Sequence, residues 1–106
     1  MNTQLQTDLI AVRHLLADPQ HWTQGAFARD ADGNKCSAWD ARARCRCLSG
    51  AAIRICGFVR YETVFEALRS VAGVRSLVGW NDAPGRTHAE VLGLLDKAIA
   101  ACGGGV

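Results

Sequence analysis

The sequence has no uncharged apolar run approaching the ~18 residues that a membrane-spanning helix needs, since the most apolar stretch, CLSGAAIRICGF, is broken by Arg54. The start, MNTQLQTDLI, lacks a basic segment and carries Asp8 where an export signal would be apolar, so the expected compartment is the cytoplasm. Charge of one sign is also scarce. A net charge of +2 points neither to an obligate nucleic-acid binder nor to a specialist for acidic partners. No C-x-x-C pair occurs among the five cysteines, Cys36, Cys45, Cys47, Cys56 and Cys102, and their odd number argues against a closed disulfide framework. Separations of eight, one and eight residues between the first four do not suit structural zinc, so neither a metal nor any other cofactor is expected. In DADGN, Asp30 to Asn34, the glycine comes fourth rather than sixth and Ala41 stands where a calcium loop needs a bidentate glutamate. A tight turn is what remains.

What is present is ordinary globular composition. Of 106 residues, 49% are hydrophobic and 21% charged, enough for one core. Leu5, Leu9, Val12 and Leu16 line one face of a first helix, Gln4 to Ala17, with Thr3 and Gln6 at capping-box spacing and Asp18-Pro19 as the stop. Asp32-Gly33 between Ala26–Arg29 and Asn34–Cys36 predicts a small β-hairpin. A central helix is expected from Ala38 to Cys56, opened by Ser37 with Asp40, ended by Gly57, and buried over a broad arc from Cys45 to Cys56. Tyr61, Val64, Phe65, Leu68 and Ala72 form a third stripe, stopped by Gly73; VRSLVGW adds a short turn of helix. A last helix follows Thr87, with Val91, Leu92, Leu95, Ala98, Ile99 and Cys102 inward. The expected architecture is mainly α: a compact single-domain bundle of four to five helices with the hairpin after helix one. The domain is drawn over 1–102, with a frayed Gly-rich tail at 103–106.

WNDAPGRTHAEVL, Trp80 to Leu92, places an Asn-Asp pair ahead of a histidine, with a cysteine upstream. A thiol hydrolase would use Cys47 as nucleophile, His88 as base and Asn81 or Asp82 to orient it. The structural reading is stronger. Thr87 and Glu90 have the T-x-x-E spacing of a capping box, and Asn81, Asp82, Pro84 and Gly85 are turn formers. Cys47, expected two turns inside a helix, lies beyond the reach of a helix-terminal dipole.

From Arg29 to Arg60, seven basic residues face three acidic ones, making the segment +4 and the remainder −2. Arg42 and Arg46 are candidate binding residues, although a solvated helix face has the same appearance and no helix-turn-helix or RNA-binding signature accompanies them. Nucleic acid is therefore a disfavoured partner. Trp22, Trp39 and Trp80 sit beside expected helix ends, and Trp22 and Trp80 complete the candidate binding set.

HWTQGAFARDADG (His21 to Gly33), CLSGAA (Cys47 to Ala52) and WNDAPGRTHAEVLGLLDKAI (Trp80 to Ile99), in that order, resemble an uncharacterised family of small bacterial and phage proteins. The chain departs from that pattern at Arg46, where an aromatic is expected before the cysteine, and at Cys36, where an aliphatic is usual. The resemblance implies a compact helical domain and a mobile-element setting, with no activity, substrate or cofactor attached. The function expected is a non-enzymatic module that binds an unidentified protein partner, as a phage or mobile-element accessory factor.

Overall fold

A computed structural model describes residues 3–103. Three helices make the core. α1 (Thr3–Leu15) turns Leu9 and Val12 inward, as its spacing requires, and α4 (His88–Gly103) answers with Val91, Leu94, Leu95 and Ala98. Both pack on α2 (Leu48–Ala72), whose Leu48, Ala51, Ala52 and Cys56, then Val64 and Leu68, fill the space between them. Asp18 stops the chain after α1 by accepting from the Gln20 amide at the head of a 3-10 turn, Pro19–His21.

The hairpin forms between β1 (Ala28–Arg29) and β2 (Lys35–Cys36), antiparallel, with Ala28 opposite Cys36. Asp30 closes it by accepting from the amides of Asp32 and Asn34, and Gly33 supplies the positive φ of 85°. A third strand, β3 (Cys45–Arg46), pairs with the other side of β1, giving the order β2-β1-β3.

That strand overturns the expected central helix from Ala38 to Cys56. Residues 37–44 are turns: Ser37 Oγ accepts from the Trp39 amide and Asp40 Oδ1 from the Arg42 amide, so both side chains close local loops instead of capping a helix. The helix begins ten residues later, at Leu48. Nor does it end at Gly57. There the backbone takes φ 64° and ψ −172°, a region open in practice only to glycine, and the chain resumes helix beyond the kink. The second and third expected helices are thus two limbs of one element. Gly73 ends it in the left-handed conformation, its amide donating to the Arg69 carbonyl.

Ser76 caps α3 (Leu77–Asp82), so Asn81 and Asp82, expected in a turn, close a short helix instead. Of the tail expected at 103–106, Gly103 ends α4 and the rest lies outside the described residues. Among the described residues, no helix is long and apolar enough to cross a membrane.

Candidate functional site

The polar residues around Trp80–Leu92 resolve into a buried junction. Asn81 is fully buried and uses all four of its hydrogen-bonding positions. Its Oδ1 accepts from Trp22 Nε1 at 2.8 Å and from the Leu48 amide at 3.0 Å; its Nδ2 donates to the Thr23 carbonyl at 3.2 Å and to Asp82 Oδ1 at 2.8 Å. One side chain therefore joins α3, the start of α2 and the loop after α1. Gln24 reinforces it, its Nε2 donating to the carbonyls of Asn81 and Ala83. Thr87 and Glu90 form the expected capping box: the Thr87 amide donates to Glu90 Oε1 at 2.9 Å and the Glu90 amide to Thr87 Oγ1 at 3.2 Å. That amide bond, with the Thr87 hydroxyl and Arg86 beside it, holds the Glu90 carboxyl below its ordinary range.

Cys47 is not two turns into a helix but at the N-cap of α2, where its Sγ accepts from the Gly50 amide at 3.2 Å. The expectation failed because Cys45 fell in phase with the apolar arc of α2. The objection from distance to the helix terminus goes with it. Burial takes its place: Cys47 is 3% exposed, and desolvation pushes its thiol upward against the opposing effect of the Gly50 and Ser49 amides. Its cap is wedged against the hairpin, where the Cys47 amide donates to the Phe27 carbonyl at 3.1 Å. A Cβ on Gly50 would lie 2.0 Å from that same oxygen, which is why a glycine stands there.

The other members of the candidate triad are engaged by other partners. His88 Nε2 lies 2.6 Å from the Leu16 carbonyl, to which it donates, and the ring sits 6.3 Å from that of Trp22. It ties the head of α4 to the end of α1. Asp82 does share an open cavity of about 310 Å3 with Cys47, Cys36, Lys35 and Phe27, but its Oδ1 is held by Asn81 and the Gly25 amide. Among the described residues, no group of three or more His, Cys, Asp or Glu is placed to hold a metal ion.

The chain matches the profile of DUF6197, described as a family of unknown function, over residues 1–101. It belongs to that family. No curated protein and no solved structure matches it.

In this DUF6197 chain the feature that core packing does not use is an apolar face along the hairpin and the kink of α2. Phe58 is 76% exposed and Val59 88%, directly after Gly57, with Phe27 at 49% and Trp39 at 43%. Trp39 and Phe58 meet edge to face at 5.0 Å. Together with Phe27, Ser37, Ala38 and Ile53 they line a cavity of about 280 Å3, and Phe27 also borders the Cys47 cavity.

The four binding residues chosen from sequence fall in different places. Trp22 is half-buried at the Asn81 junction; Trp80 is half-buried against the core, with the Arg86 guanidinium 3.9 Å above its ring. Arg42 is exposed on a turn and paired with Asp40 at 3.0 Å; Arg46 is on β3, its Nε donating to the Ala38 carbonyl at 2.9 Å. They share no helix face. Sequence reasoning missed Phe27, Phe58 and Val59; Phe58 lies three residues before Tyr61 and seven before Phe65, in phase with that stripe, so spacing alone did not mark it as exposed.

Proposed function

We propose that the protein is a non-enzymatic interaction module of the cytoplasm, holding a partner protein on the face formed by Phe27, Trp39, Phe58 and Val59. The observation that carries this is Phe58 and Val59 standing in solvent where Gly57 breaks α2. Two large apolar side chains side by side at 76% and 88% exposure, flanked by two further aromatics, form a patch of the kind that marks a binding surface. In this reading the chain serves as an accessory factor of a phage or mobile element and acts by occupying a surface of a host protein.

The test is capture from bacterial lysate at physiological salt, with the native chain beside a Phe58→Ser, Val59→Ser double variant. Both positions are exposed, so the double variant keeps the fold. A partner held by the native chain and lost by the variant is the expected result; identical recoveries would refute the reading.

A thiol hydrolase remains the reading from another class, and the helix-terminal position of Cys47 beside Asp82 is the observation in its favour. It lacks a base. His88 is committed to Leu16 and Asn81 has no free hydrogen-bonding position to orient one.

A further inference from the structure

We infer that the apolar face selects an amphipathic protein segment that carries carboxylates, its apolar side chains seated between Phe27, Trp39 and Phe58 and its acids on Arg46 and Arg54. The inference rests on the docking reading above and adds the chemistry of the partner.

The apolar floor is nearly devoid of polar atoms, and the cations that approach it stand outside its lining: Arg46 borders the neighbouring cavity of Leu15, His21 and Arg44 and reaches this one through the Ala38 carbonyl. Arg46 places its guanidinium on the carbonyl of Ala38, a residue of the cavity wall. Arg54 follows Ile53, another wall residue, and its charge bears on Arg46. Among the described residues neither guanidinium has a carboxylate partner; Arg42, the third on this side, is already paired with Asp40. Burial, together with the like charge of Arg54, disfavours the charged form of Arg46. An arriving carboxylate relieves that repulsion, while a cationic segment would add to it.

The same arrangement disfavours two other occupants. A second copy of this chain, docked through the same face, would bring Arg46 and Arg54 toward their own like charges. Single-stranded nucleic acid binds on open aromatic faces along a charged track, but Trp39 and Phe58 meet at an interplanar angle of 68° and Phe58 and Tyr61 at 81°, each edge closing on the next ring.

The experiment is selection of a random peptide display library on the full folded chain, with Phe58→Ser and Arg54→Glu variants verified as folded by circular dichroism. Enriched peptides are expected to combine Leu, Phe or Trp with Asp and Glu. Their affinity should fall about tenfold or more on Phe58→Ser and about three- to tenfold on Arg54→Glu, with Arg54→Lys retaining most of it. Enrichment lost on Phe58→Ser but without acidic bias, or unmoved by Arg54→Glu, overturns the acidic partner and leaves the docking face standing. No enrichment, or enrichment indifferent to Phe58, overturns both. Tighter binding of a single-stranded oligonucleotide at physiological salt, or self-association abolished by Phe58→Ser in sedimentation, assigns the face to another occupant and overturns the inference.

Discussion

Replacing Asn81 by alanine would remove one side chain and strand three groups in two segments at once. The Leu48 amide at the head of α2 and the Trp22 indole N–H lose their acceptor, and the Thr23 carbonyl loses its donor. A buried polar group left unpaired costs about 1–3 kcal/mol. Leu48 is fully buried, whereas Trp22 and Thr23 are half-buried and regain some hydration, so the summed loss is about 3–5 kcal/mol. Against the roughly 5–15 kcal/mol of a typical domain, that is a third or more of the total. Urea unfolding followed by tryptophan fluorescence and far-ultraviolet circular dichroism reads it directly, as a lowered midpoint at unchanged slope. Asn81→Asp supplies a second reading: a carboxylate still accepts from Trp22 and Leu48, but it cannot donate to Thr23 and stands beside Asp82. Its deficit should therefore be larger at neutral pH than in mild acid. A loss below about 1 kcal/mol for Asn81→Ala would refute the assignment of this junction as structural.

Two glycines should respond to alanine with opposite signs. Gly50→Ala drives a Cβ to 2.0 Å from the Phe27 oxygen and should cost at least about 3 kcal/mol or abolish folding, whereas Gly93→Ala on α4 meets nothing within 4 Å and should stabilise by about 0.5–1 kcal/mol in thermal melts. Burial and the nearby Asp8 carboxylate push the Cys56 thiol from 9.0 up to about 11. A raised folded-state value means that the associated stability is intact below about pH 9 and lost as pH rises through about 11, a change of at most about 2–3 kcal/mol. Denaturation of the native chain and of Cys56→Ala, compared between pH 8 and 11, should show the steeper alkaline decline only in the former.

Legibility in the sequence followed the range of the interactions. α1 and α4 announce themselves by three- and four-residue spacing, the hairpin by Asp32-Gly33, and the capping box by Thr87 and Glu90, because each signal is confined to a few neighbours. The start of α2 was hidden by a false local signal: Ser37 and Asp40 have the right spacing for a cap, yet close two successive turns. β3 has two residues, too few to show any period, and it exists because β1 pairs with it. Asn81 looks like a turn residue since three of its four partners lie 33 to 59 positions away. The exposed face escaped for a related reason. The expected stripe began at Tyr61, and only the tertiary structure shows that Phe58 and Val59, next to the kink at Gly57, stand in solvent.

The central claim is that Cys47 and the Asn81 junction are architecture and that the exposed aromatic face performs the function. Iodoacetamide alkylation of Cys47 in the native chain near pH 7.5, resolved by peptide mass spectrometry, tests it most directly. With the thiol 3% exposed and pushed upward by burial, alkylation should be at least about a hundredfold slower than in the urea-unfolded chain. Modification of native Cys47 faster than in the unfolded chain, with a midpoint near neutral pH, would contradict the account and establish a reactive thiolate in its place.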